Sequence, residues 1–552
     1  MFPGVGNFGQ ALESLHRQGY AEPLRQYIAS GRPYMGICIG MQALFESSTE
    51  AGGVPGLGVL PGTVDRFDDS KGKTIPHMGW NRARPVRKSA TQFGLQDESS
   101  PSQHFYFVHS YRVAFDPKLH EGCALTTTQY GDEVYLSSVQ RGNVFATQFH
   151  PEKSGKAGLE VLRSWLSMSD VPSPTSNDWL LDPTQAAQPE VRDGLTKRIV
   201  ACLDVRSNDD GDLVVTKGES YDVREKTEAT GGDVRNLGKP VDLATRYYLE
   251  GADEVTFLNI TSFRSSALSD QPMLAMLELA AATIFVPLTI GGGIKDTVDP
   301  DGTKHSALEV ADAYFRAGAD KVSIGSEAVT ATEALLASLP EGEFDPAKAS
   351  STARTGKTGI EMISKAYGNQ AVVVSIDPRR VYLEPGQSAP PSHAWSVVGD
   401  GDRQWWYACT IKGGRETRDV DVVQLARGVE SLGAGELLVN SIDADGQGKG
   451  FDRRLIDLVR RYTGVPVIAS SGAGKPAHFS QVFEPQSLKP GDAPTSVEAA
   501  LAAGIFHRKE VAIDDVKAEC ERAGMEVRRE RVDTGAAGLV LNKPGDAVEE
   551  RP

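Results

Sequence analysis

Residues 36–40 read Gly-Ile-Cys-Ile-Gly, a nucleophile type with glycine two residues away on each side. That spacing predicts a tight turn from strand into helix, where glycine tolerates strained dihedrals and the side chain of Cys38 is pushed outward. A helix beginning just beyond it favours the thiolate. A single cysteine among apolar residues is more often buried and inert, so the reading needs partners. Phe149-His150-Pro151-Glu152 supplies an imidazole base and, two residues on, a carboxylate that a strand would place on the same face. Pro3-Gly4-Val5-Gly6-Asn7-Phe8-Gly9 is a loop whose backbone N–H groups could form an oxyanion hole. Together Cys38, His150 and Glu152 predict acyl transfer through a thioester.

A second set of residues lies in the later part of the chain. Asp204 is the last residue but one of the apolar run RIVACLDV, and Asp377 ends AVVVSID. Two carboxylates facing one substrate can divide the roles of acid and base, although either alone could be only a helix cap. Gly291-Gly292-Gly293, Gly325-Ser326, Ser471-Gly472-Ala473-Gly474 and Ala503-Gly504 each follow a further apolar run. Glycine loops that enter helices present free N–H groups to phosphate. One such loop is merely a turn, whereas two sets imply a substrate with a phosphate at each end. Asp445 and Gly446, in Asp443-Ala444-Asp445-Gly446, could add ribose or phosphate contacts, and Lys217 in VVTKG could approach the substrate.

The elements that must position these groups show an internal repeat. RIVACLDV (198–205) pairs with AVVVSID (371–377), DEVTFLNI (253–260) with GELLVNSID (435–443), FVPLTIGGGI (285–294) with GVPVIASSGAG (464–474), and ADKVSIGS (319–326) with EAALAAGI (498–505). The offsets cluster, with 173 residues from Asp204 to Asp377 and 182 from Glu254 to Glu436. Each run is short, apolar and mostly β-branched, as a strand of a parallel sheet buried on both faces must be. Four βα units repeated once predict a (β/α)8 barrel of two related halves, the alternative being an open doubly wound sheet. Asp204 and Asp377 then fall on opposite strands at the C-terminal mouth. The predicted class is α/β throughout: an open α/β sheet unit over 1–168, a Ser- and Pro-rich linker over 169–196, the barrel over 197–530 and an unstructured tail over 531–552. Among the longer inserts, 219–240 is a candidate lid, and 295–307, 340–358 and 383–405 are expected to be surface decoration.

Composition narrows the functions. The 552 residues carry 58 Lys+Arg against 74 Asp+Glu, a net charge of −16, with no long basic cluster. A nucleic-acid surface is not expected. Five widely spread cysteines, with no CxxC pair, suit a reducing compartment. The most apolar window, 274–290, contains Glu278 and Pro287, so no membrane span is expected. The N-terminus lacks a secretory pattern, which predicts a cytoplasmic protein. No metal cluster or nucleotide fingerprint appears, so no cofactor is expected.

GICIGMQ, FATQFHPEKSG and PGVGNFG resemble the nucleophile, base and oxyanion segments of class I glutamine amidotransferases. Within that class, HMGWN (77–81) and YFVHSY (106–111) resemble the glutaminase half of the imidazole glycerol phosphate synthase family. ACLDV, TIGGGI, VVVSID, NSIDADG and SGAGK resemble its cyclase half. The resemblance implies that Cys38 attacks the glutamine carboxamide, His150 shuttles the proton, Glu152 orients His150, and Gln42 helps Val5 and Gly6 hold substrate or oxyanion. It implies further that PRFAR, a bisphosphate, reacts with ammonia over Asp204 and Asp377 to give imidazole glycerol phosphate and AICAR. Arg198, Glu254, Lys321 and Glu436 match the charged ammonia gate of the barrel floor, and they could equally be a structural ring of salt bridges. Lys153 and Asp320 match an ion pair between domains, and a fused chain gives no obvious reason to be other than a monomer.

The family carries a strand–helix–strand segment before the PGVG loop, whereas here Met1 stands two residues from it, so a truncated first domain is expected. A cyclase fed only by free ammonia, with its glutaminase disabled, is the resulting alternative. Two readings fit less well. A phosphoribosyl isomerase would consume no nitrogen, and a non-catalytic metabolite binder would need no acyl nucleophile.

Overall fold

The computed structural model describes residues 1–4, 6–70, 72–96, 103–168, 178–207, 213–215, 239–260, 271–298, 302–339, 344, 355–400, 402–487 and 493–530. Val5 and Lys217, expected at the oxyanion and the substrate, nearly all of the lid insert, most of 340–358, the first part of the linker and the tail lie outside the described residues.

The first unit is built on a five-stranded sheet in the order Tyr34–Ile37, Val144–Thr147, Glu133–Arg141, Ala124–Tyr130, Arg84–Pro85. Its first two strands are parallel, with Ile37 opposite Thr147. That register brings Cys38 and His150 past the same sheet edge, one and three residues beyond the paired positions. On the outer side of Tyr34–Ile37, Phe2 forms a parallel bridge to Gly36, so the chain entering the PGVG loop is itself paired to the sheet. Residues 178–196 pack against this unit rather than spanning free. Trp179 stacks under the guanidinium of Arg87 at 3.3 Å, and Asp178 accepts from the Lys88 N–H at 2.9 Å.

The second unit is a closed barrel, not an open sheet. Its eight parallel strands are Arg198–Ser207, Glu254–Asn259, Leu288–Gly291, Lys321–Ile324, Val372–Ile376, Glu436–Asn440, Val467–Ser470 and Ala499–Ala502, and the eighth pairs back onto the first. Apolar side chains fill the lumen, among them Val200, Cys202, Val373, Leu438, Ile468 and Leu501. The surrounding helices are locally specified. For Val422–Leu432, Asp421 caps the Val423 and Gln424 N–H groups, Gln424 reaches back to the Asp421 N–H, and Gly433 ends the helix at a φ of 113°.

The insert after strand five departs from the expectation of surface decoration. Pro378–Leu383, Val398–Asp400, Arg403–Ile411 and Glu416–Asp421 form a four-stranded antiparallel sheet with Trp405 and Tyr407 buried. Alternation in RQWWYACTI is masked by aromatic residues on both faces, which is why the run did not read as a strand.

Candidate active sites

Cys38 sits at the strand-to-helix elbow with φ 52° and ψ −102°, a region that non-glycine residues avoid. The flanking glycines make the elbow possible. A Cβ on Gly36 would lie 2.5 Å from the Gly40 carbonyl oxygen, and one on Gly40 would lie 1.9 Å from that of Phe2. The Cys38 N–H donates to the Thr147 carbonyl at 2.7 Å, locking the elbow to the strand that leads to His150. His150 Nδ1 meets Glu152 Oε1 at 2.7 Å, which leaves the buried Nε2 for the neighbouring Cys38. Burial alone would lower the His150 pKa, but the Glu152 carboxylate and the neighbouring Cys38 outweigh it and hold it well above the ordinary histidine value. Burial likewise works to raise Glu152, and the facing imidazolium brings it below the usual carboxylate range. A thiol, an imidazole and a carboxylate thus stand side by side, as acyl transfer would need.

Gln148, which the sequence did not single out, donates to Cys38 Sγ at 3.4 Å. Gln42 donates its amide to the Tyr111 carbonyl and to Gln148 Oε1, both at 3.1 Å, so it acts on the site through Gln148 as well as lining it. Gly6, Cys38 and Gln42 line a cavity of about 500 Å³ whose far wall belongs to the barrel, through Gln370, Ala434 and Val465 among others. The N–H of Ile39, the donor that this kind of elbow offers to an oxyanion, is directed at the Gly4 carbonyl at 3.4 Å.

Below this cavity lies the barrel floor. Arg198 bonds Glu254 at 2.9 Å and also Glu436, and Lys321 bonds Glu254 at 2.7 Å and Glu436 at 2.6 Å. All four side chains are buried. Met78 Sδ touches Lys321 Nζ at 3.7 Å, and Trp80 Nε1 donates to the Asp253 carbonyl at 3.0 Å, so HMGWN is seated on the ring. Lys153 and Asp320 pair across the domains at 2.8 Å.

At the opposite end, Asp204 stands on strand one and Asp377 one residue beyond strand five, across the mouth from each other. Both are half-buried. Burial, reinforced by the Asp445 carboxylate, pushes Asp204 up to about 6. Burial also raises Asp377, although Asn440 donates to its Oδ1 at 2.9 Å and favours the anion. The two carboxyls therefore differ in environment, as an acid and a base should. Gly292, Gly293, Gly325, Ser326 and Asp377 line one cavity of about 580 Å³, together with Lys412, Gly413 and Arg415 from the inserted sheet.

Gly472, Ala503 and Gly504 follow strands seven and eight, outside the walls of that cavity. Ala503 (φ −122°, ψ −72°) and Gly325 (φ −108°, ψ −100°) open their helices with similar backbone shapes, which carries the repeat into the loops. Gly472 has a packing reason as well, since a Cβ there would lie 2.3 Å from the Gly450 carbonyl oxygen. Asp445 and Gly446 lie just beyond strand six, in a turn where the Asp445 N–H donates to the Ser441 carbonyl at 3.0 Å. Among the described residues no three His, Cys, Asp or Glu side chains converge to hold a metal ion, and no helix is long and apolar enough to cross a membrane.

Comparison with known proteins agrees with this division. The family model described as "Glutamine amidotransferase class-I" matches residues 1–167. The one described as "Histidine biosynthesis protein" matches twice, over 198–342 and 337–512, one match for each half of the barrel. "Imidazole glycerol phosphate synthase hisHF" of Emericella nidulans is 51% identical, over 96% of this chain and 91% of that protein. The chain belongs to the imidazole glycerol phosphate synthase family. The Schizosaccharomyces pombe member of the same name is 52% identical over 94% of this chain and 90% of its own length. An Arabidopsis thaliana member, named as chloroplastic, is 50% identical over 96% of this chain and 82% of its own length. Because the amidotransferase match runs from residue 1, the expectation of a truncated first domain finds no support.

Proposed function

We propose that Cys38 attacks the carboxamide carbon of glutamine, that His150 passes the thiol proton to the departing ammonia, and that Glu152 holds the imidazole for the transfer. Water then cleaves the thioester and releases glutamate. The ammonia reaches the barrel mouth across the floor ring of Arg198, Glu254, Lys321 and Glu436. There Asp377, its anion favoured by Asn440, acts as the base and Asp204 as the acid while PRFAR is converted to imidazole glycerol phosphate and AICAR.

The chain is an enzyme of histidine biosynthesis that joins a glutamine amidotransferase to a cyclase on one polypeptide. One observation carries the site assignment: the cavity of Cys38 abuts the floor of the same closed barrel whose mouth holds the two carboxyls. Ammonia kept from water stays unprotonated, which gives the fusion its physical reason. The glutaminase unit is 1–168, the linker 169–196 and the cyclase unit 197–530, and the enzyme works as a cytoplasmic monomer.

The direct test is Cys38→Ser. PRFAR consumption should cease with glutamine and persist with ammonium, and loss of both would refute the division of labour. The Ile39 N–H, held by the Gly4 carbonyl, also supports coupling between the sites. PRFAR should raise the glutaminase kcat by freeing that donor, and an unchanged rate would rule the coupling out.

A further inference from the structure

The inserted sheet ends in a turn that reaches the phosphate-loop side of the barrel mouth. The Lys412 N–H donates to Ser326 Oγ at 2.9 Å, and Lys412 takes a φ of 55° to do so. Two further contacts fix the turn. Thr410 donates through its N–H at 3.0 Å and its Oγ1 at 2.6 Å to the carbonyl of Asp377. Arg418 forms a double bond pair with Glu333 at 2.8 and 2.9 Å, on the helix that Ser326 opens. The turn is thus tied both to the backbone of a catalytic carboxylate and to the Gly325–Ser326 loop.

The barrel repeat gives this turn a counterpart. In the first half, Val215 pairs with Val205, the residue after Asp204. In the second, Cys409 pairs with Pro378, the residue after Asp377. The chain continues from Val215 as Thr216-Lys217-Gly218, and from Cys409 as Thr410-Ile411-Lys412-Gly413. Each half therefore has a return strand paired beside its aspartate, and in the sequence Thr, Lys and Gly follow that pairing in both, with Ile411 interposed in the second. A substrate with a phosphate at each end calls for one cation at each end. Of the cations lining the Gly292–Gly293 and Gly325–Ser326 cavity, Lys412 is the one whose own backbone is bonded to Ser326.

We propose that Lys412 binds the substrate phosphate held by the Gly292–Gly293 and Gly325–Ser326 loops, as the second-half counterpart of Lys217. Its ammonium pairs with Glu416 at 2.8 Å on an exposed turn. Such a pair contributes little, and a phosphate dianion ringed by N–H groups displaces it. Thr410 then transmits phosphate occupancy to the position of Asp377.

This inference rests on the cyclase reading, and the test separates the two. PRFAR turnover would be measured with ammonium on the full chain, together with inhibition by inorganic phosphate, for wild type, Lys412→Ala and Lys412→Arg. The expected result for Lys412→Ala is a KM for PRFAR raised about tenfold, weaker phosphate inhibition and a kcat within about twofold of wild type. Lys412→Arg should restore most of the loss. An unchanged KM with unchanged phosphate inhibition would overturn the proposal, as would a loss confined to kcat. If wild type consumed no PRFAR, the cyclase reading itself would fall. Calorimetric titration with inorganic phosphate would then decide the Lys412 site, upheld by weaker binding in Lys412→Ala and overturned by equal binding.

Discussion

Both ends of the barrel carry buried or enclosed charge, and they treat it in opposite ways. At the floor, every charge has an opposite partner: Arg198 and Lys321 each bond both Glu254 and Glu436. Burial raises Glu436, yet the two cations hold it below the ordinary carboxylate value. At the mouth, among the described residues, the Asp445 carboxylate acts on both Asp204 and Asp377, and Asn440 donates to Asp377. Paired charges close a structure, whereas carboxyls that burial and a neighbouring carboxylate disfavour as anions are pushed toward taking a proton, which is what acid and base chemistry needs. The floor is built to be stable and the mouth to be reactive.

The sharpest way to break that contrast is at the mouth. Asp204→Asn or Asp377→Asn should lower ammonium-dependent cyclase turnover by about 10²–10⁴-fold. For Asp204 the loss should come with a gain in stability. Its folded pKa, about 6, stands above the ordinary value of 3.8, so its contribution is complete only below that value and is lost as pH rises through about 6. Removing the charge should make Asp204→Asn roughly 2 kcal/mol more stable than wild type above pH 6 and equal to it at about pH 3, as read by denaturant melts at both pH values.

The floor should answer in the reverse sense. Glu436→Gln leaves Arg198 and Lys321 short of a buried counter-charge and should cost about 3–5 kcal/mol of stability. Ammonium-dependent turnover of the folded fraction should survive, because free ammonia enters from the mouth. The smallest effect belongs to a pair that resembles the ring in type but not in burial. Lys153 and Asp320 are partly exposed, so Lys153→Ala should change stability by only about 0–1 kcal/mol.

The same contrast marks how far the sequence could be read. The barrel was legible because eight apolar runs repeat with a nearly constant offset, a signal held within each strand. Cys38 was legible because Gly36 and Gly40 are fixed by local approach, whereas His150 and Glu152 pair from the start of a short 3-10 helix, Pro151–Lys153, and not along the strand that their spacing predicts. The partners that tune these groups were not. Gln148 on Cys38 and Asn440 on Asp377 are contacts across sheet neighbours that no local pattern announces. The inserted sheet was missed because its strand Arg403–Ile411 is aromatic on both faces, and Lys412 gains meaning only from its bond to Ser326.

The claim that joins the two ends is that nitrogen released at Cys38 crosses the floor ring to the mouth without leaving the protein. Glutamine labelled with heavy nitrogen in its amide, supplied with PRFAR in a bath of excess unlabelled ammonium, tests it in one measurement. The account predicts imidazole glycerol phosphate that carries the label well above its share of the bulk ammonia. Product labelled only to the bulk ratio would mean that the ammonia mixes with solvent, and that the ring separates the two sites instead of connecting them.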